Sequence, residues 1–174
     1  EDEISELLFS IPEYQQIGAK FLYNSQFALL CDSFDFGKEI QVMAALKLLL
    51  RLRAVKKVLL ITSRFQEMNL KCNGDGNYKN IWEITSSHLI NGFKLKFHHS
   101  AIKFLDDKEF HNNFCHTISY NNLEECFIKG QFPYKNIENF DCIILDDFSK
   151  DKLSLDSVKI ISEKTEPNFF WVLS

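Results

Sequence analysis

Phe27 to Gln41 reads FALLCDSFDFGKEIQ, and Val58 to Thr62 reads VLLIT. Phe27 to Cys31 is a short, continuous apolar run, the pattern of a strand buried on both faces. The polar loop Asp32 to Gly37 follows. Glu39 to Arg53 (EIQVMAALKLLLRLR) then has helical length and is rich in the strong helix formers Ala, Leu, Lys and Arg. Val58 to Thr62 is a second buried strand. Strand, loop, helix, strand is a βαβ unit, and such units imply a parallel sheet.

Outward from this unit the same alternation continues. Asn73 to Asn77 (NGDGN) is a turn signal, and Tyr78 to Ser87 around Trp82 is predicted helical. Phe93 to His98 and Phe114 to Tyr120 alternate apolar and polar residues and read as strands. Asn121 to Ile128 reads as a short capped helix. Cys142 to Leu145 (CIIL) is a buried strand that runs into Asp146 and Asp147. Leu155 to Ser162 fits a helix and Phe169 to Leu173 (FFWVL) a last strand. The expected class is α/β, a mostly parallel sheet with helices on both faces.

With 174 residues the chain fits one domain spanning 1–174. Seventeen Phe against six Gly and three Pro point to a packed core without long irregular tracts. The net charge of −4 lacks the basic surplus of an isolated nucleic-acid reader, so DNA binding by this piece would need a local patch or a longer context. Arg51, Arg53, Lys56 and Lys57 are one small basic cluster, explained by a solvated helix end and, less well, by a phosphate contact. Five cysteines without a Cys-x-x-Cys pair suggest a reducing compartment. Cys31 and Cys142, inside apolar runs, read as small hydrophobes. No apolar run approaches the 18 or so residues of a membrane span, so no membrane partner is expected. The opening Glu-Asp-Glu without Met reads as a piece of a longer protein. His98, His99, His111, Cys115 and His116 lack the paired spacing of a structural zinc site, so no metal is assigned to them. Trp82 reads as core packing.

In open parallel sheets ligands bind beyond the carboxyl ends of the strands. Two such ends carry unusual chemistry. Gly37-Lys38 sits between a strand and a helix, where free N–H groups and a lysine would suit a nucleoside phosphate. Asp146-Asp147 follows another strand, where magnesium and an attacking water would be held. Each signal has a blander reading, as a turn and as a cap of the following segment.

The order of these signals resembles the first RecA-like lobe of Snf2-family helicase-like ATPases along the whole chain. Ile11 to Leu22 (IPEYQQIGAKFL) is similar to the family's opening motif, a Tyr-Gln, then Gly, then an aromatic-Leu pair, where Gln15 would read the adenine edge. Asp32 to Gln41 (DSFDFGKEIQ) resembles DEMGLGKTIQ. Thr117 to Asn122 resembles motif Ib, and Phe140 to Ser149 (FDCIILDDFS) the Asp-Glu-Ala-His segment. Phe169 to Ser174 looks like the strand of motif III. The resemblance implies a RecA-like three-layer sandwich, with an arginine-finger lobe outside this chain.

The departures are chemical. The motif's first glycine is Asp35, and the hydroxyl that would meet magnesium is Glu39. The catalytic glutamate is Asp147, and Ala-His is Phe148-Ser149. Asp35 adds a side chain where the backbone should curl around phosphate. A like-charge pair about 4–5 Å apart costs about 3–4 kcal/mol at an effective dielectric of about 20. The expectation is therefore a pseudo-ATPase without a catalytic residue, metal or cofactor. It would serve as a protein-interaction scaffold in a nuclear, chromatin- or DNA-associated protein, with pairing of two lobes in a homodimer left open. The alternatives are an ATP-binding sensor or a slow DNA-dependent ATPase using Mg-ATP and a second lobe. Tyr14, Gln15, Asp35, Gly37, Lys38 and Glu39 would be the vestigial nucleotide site, with Asp146 and Asp147 its degenerate catalytic pair.

Overall fold

Six strands of four or five residues form one all-parallel sheet in the computed structural model of the chain, which describes residues 11–32, 37–63, 70–71, 78–79, 81–90, 95–98, 114–128, 140–149 and 155–174. The strands are β1 (Phe27–Leu30), β2 (Val58–Thr62), β5 (Leu95–His98), β6 (Cys115–Ile118), β7 (Cys142–Asp146) and β8 (Phe169–Leu173). Their order across the sheet is β1-β8-β7-β2-β6-β5. β3 (Leu70–Lys71) and β4 (Tyr78–Lys79) form a separate antiparallel ladder. That ladder brackets the NGDGN turn signal, which lies outside the described residues. It also claims Tyr78 and Lys79 from the expected helix, which runs from Ile81 to Leu89 instead.

Alternation within the strands sorts the core into two layers. Val58, Leu60, Cys115, Cys142, Ile144, Trp171 and Leu173 point to one face. There they meet Leu22 of α1 (Glu13–Asn24), Val42, Met43 and Leu46 of α2 (Lys38–Arg51) and Trp82 of α3 (Ile81–Leu89). Leu59, Ile61, Ile118, Ile143, Leu145 and Phe170 point to the other. They are covered by Leu123 and Cys126 of α4 (Tyr120–Ile128) and Ile161 of α5 (Leu155–Thr165). The chain is thus an α/β, RecA-like three-layer sandwich with helices on both faces of a parallel sheet. No helix among the described residues is long and apolar enough to cross a membrane.

The first strand differs from its expectation. β1 pairs with β8 on one side only, and its outer face is bare: Phe27 is 67% and Leu29 60% exposed, while Ala28 and Leu30 are buried. FALLC is apolar because it packs one face under α1 and α2, but its place at the sheet edge leaves the other uncovered. Cys31 is exposed instead of buried in a strand. Cys142 does pack inside as a small hydrophobe, and burial raises its thiol well above the usual range. α2 begins one residue earlier than expected, at Lys38, after Gly37 turns the chain with φ +64°. It ends two residues early because Arg53 takes a left-handed backbone, φ +58°, where the N–H groups of Arg53 and Ala54 close onto the carbonyls of Leu50 and Leu49.

Candidate functional site

The sheet order brings three strand ends together: β1, carrying the Gly-Lys turn; β7, carrying the Asp pair; and β8 between them. Main-chain bonds join them at their tips. Ser174 N donates to Leu30 O at 3.1 Å, and Phe148 N donates to Leu173 O at 2.9 Å.

At the first end, Lys38 is only 4% exposed. Its ammonium donates to the main-chain oxygens of Asp32 and Ser174, each at 2.9 Å. It ties the exit of β1 to the exit of β8. Beside it Gln41 Nε2 donates to Asp32 Oδ2 at 2.8 Å, fixing the start of the loop onto α2. Gln41 Oε1 lies so close to Gly18 on α1 that any side chain at position 18 would overlap it. Gln15, one turn earlier on α1, fills the space over Gly37, where a Cβ would lie 2.6 Å from its Nε2. Gly37 is thereby constrained twice, by its positive φ and by this close approach.

Gln15 and Gly37 therefore meet, as the resemblance implies, but Gln15 is buried against the turn and not presented to a base. Tyr14 is exposed, and its hydroxyl takes a long 3.4 Å hydrogen bond from Gln15 Nε2. Glu39 is buried in the first turn of α2. A carboxylate there is favoured by the positive end of the helix and would repel a phosphate. Asp35 lies outside the described residues.

At the second end, strand alternation turns Asp146 inward. It shares the face of Cys142 and Ile144 and sits in register with Thr62. It is 0% exposed. Its Oδ2 accepts from the Thr62 hydroxyl at 2.7 Å and the Trp82 indole N–H at 2.9 Å. Its main-chain oxygen accepts from the Tyr120 hydroxyl at 2.9 Å. Burial first, then the charges of Asp146 and Asp147, push the Tyr120 phenol above the usual tyrosine range, so it stays a donor. Asp147 turns the other way with φ +52° and accepts from the Ser63 hydroxyl at 3.1 Å. The two carboxylates thus face different surroundings. Asp146, the last residue of β7, is a core anchor, and Asp147 follows the strand in a left-handed backbone.

As placed, the described members of this donor set do not offer Mg-ATP the contacts the resemblance implies. The lysine is held by main-chain oxygens, the hydroxyl position is a buried carboxylate, and Asp146 faces a tryptophan. Oδ1 of Asp146 would suit a metal-bound water, being buried with no hydrogen-bond partner among the described residues. Among the described residues no group of three His, Cys, Asp or Glu side chains could hold a metal ion.

Sequence reading missed Thr62, Trp82, Gly18, Gln41 and Ser174 as members of this arrangement. The signal for Gly18 and Gln41 lay in the two motif-like segments themselves. Thr62 and Asp146 follow from strand parity once the register is known. Trp82 does pack in the core, and it also donates the hydrogen bond that keeps a carboxylate there. Asp141, the Asp of the leading aromatic-Asp pair, accepts from the N–H groups of Lys56 and Lys57 at 2.7 and 3.0 Å and so aligns the starts of β2 and β7. No protein-family model matches the chain, and no curated protein matches it.

Proposed function

We propose that this chain is a lobe of the Snf2 kind whose nucleotide site no longer turns over ATP. It works as a protein-interaction scaffold within a chromatin- or DNA-associated nuclear protein. The observation that supports this most directly is the state of Lys38. The group that should meet a triphosphate is buried and holds two strand ends through their main-chain oxygens. A nucleotide would have to pull it from both and enter beside the buried Glu39 carboxylate.

The unpartnered Oδ1 of Asp146 favours a second reading, an ATP-binding sensor or a slow DNA-dependent ATPase completed by a second lobe. Thermal melting with Mg-ATP separates the two. A site with a Kd of about 0.1 mM, given about 5 mM ligand, stabilises the fold by about 2.3 kcal/mol, a shift of a few degrees. The scaffold reading expects no shift for the natural chain and a gain in the Asp35→Gly, Glu39→Thr double variant. A clear shift with the natural chain supports the nucleotide-binding reading, sensor or slow ATPase, and ends the scaffold reading.

A further inference from the structure

At the other end of α2 from Lys38, its last residue and the loop into β2 read Arg51-Leu52-Arg53-Ala54-Val55-Lys56-Lys57. Four cations fall within seven residues of a chain whose net charge is −4. Arg51, Leu52, Arg53, Ala54 and Lys56 are exposed. The backbone beneath them is fixed from both ends. Leu52 N donates to Leu48 O, Arg53 N to Leu50 O and Ala54 N to Leu49 O. The N–H groups of Lys56 and Lys57 are held by Asp141 Oδ2, and Val55 is buried in the core as a plug.

The negative end of a helix accounts for only part of this. That field fades within the last turn, which contains Arg51 but not Arg53, Lys56 or Lys57. Leu52 needs its own account, being 60% exposed between two arginines. A nucleic-acid backbone offers phosphates to the cations and nothing to the leucine. A peptide carrying carboxylates on either side of an apolar residue satisfies both.

We propose that this rigid basic loop is a docking surface for an acidic polypeptide segment with an apolar residue that packs on Leu52. The segment's carboxylates pair with Arg53 and Lys56. The proposal rests on the scaffold reading only in taking the partner to be a protein. The surface lies at the other end of α2 from Lys38, and neither hydrogen bond of that lysine involves it.

Fluorescence anisotropy of a labelled ten-residue peptide, glutamates flanking a leucine, titrated with the whole chain at low salt tests the proposal. Binding is expected to weaken about tenfold in Arg53→Glu/Lys56→Glu and roughly threefold in Leu52→Ser. Raising the salt should loosen it further. All three side chains are exposed, so the melting midpoint should hold. If charge reversal lowers it, Arg53→Gln/Lys56→Gln takes its place. Equal binding by charge-reversed and natural chains overturns the proposal. So does tighter binding of duplex DNA with no dependence on Leu52, which assigns the loop to phosphates. A chain that melts higher with Mg-ATP yet still loses the peptide on charge reversal refutes the degenerate-site reading and leaves the docking surface standing.

Discussion

The Lys38 corner and the Asp146 corner solve the same problem with opposite signs. Each buries a charged side chain at the carboxyl end of a strand, and among the described residues each is held by hydrogen bonds to main-chain or neutral side-chain groups. The ammonium is held by two main-chain oxygens at the junction of β1 and β8. The carboxylate is held by a hydroxyl and an indole between β2, β7 and α3. Among the described residues the two charges make no ion pair with each other. A buried charge held by neutral dipoles costs little only while every dipole stays in place. The difference lies in what supplies the dipoles. At Lys38 they are backbone atoms, which no substitution removes. At Asp146 they are side chains, so that corner is the more fragile.

The largest expected effect tests that fragility. Trp82→Ala should cost about 3–5 kcal/mol in chemical denaturation, because it opens a cavity and strips a donor from the carboxylate. Trp82→Phe keeps most of the volume and loses only the N–H, so its deficit isolates the hydrogen bond at about 1–3 kcal/mol. If Trp82→Phe is neutral, the two corners do not differ as described.

The wall beneath Asp146 gives the next effect. Cys115 and Cys142 are buried, and burial raises both thiols above their ordinary value. Their stabilising contribution is complete below the unfolded thiol pKa, about 8.5, and is lost as pH climbs towards the raised folded values. Unfolding free energy should drop by about 4 kcal/mol between pH 8 and 10 for the pair. In Cys115→Ala/Cys142→Ala that slope should flatten. A natural chain equally stable at both pH values would contradict the burial.

Lys38→Met gives the smallest effect. It should destabilise by about 1–3 kcal/mol, since two oxygens lose their donor. On sequence alone the same position predicts no effect in a pure scaffold. The structure sharpens this, because the lysine is part of the frame whether or not it meets a nucleotide. Full stability in Lys38→Met would show that the latch contributes nothing.

How far the sequence could be read follows the same division. Val58–Thr62 and Phe169–Leu173 are strands over the expected residues, because a continuous apolar run with polar ends has few other ways to fold. FALLC carries the same signal, yet β1 is an edge strand. Position in a sheet depends on which strands pair, and that is not local. Gln15, Gly37 and Lys38 come together as the motif-like segments suggest. Their contacts do not follow from those segments, since Lys38 reaches Ser174, 136 residues along the chain, and Asp146 reaches Trp82, 64 residues back. Residue type announced chemistry at both corners, while register and burial decided which way each group faces.

Phe27 and Leu29 leave a sticky rim on the sheet. Ala28 and Leu30 face the helices, and the alternate residues offer a bare apolar ledge with no lysine, proline or bulge within the strand to discourage a neighbour. Concentrated samples of the chain should self-associate through this side, and a single gatekeeper charge, Leu29→Lys, should keep them dispersed without touching either buried corner.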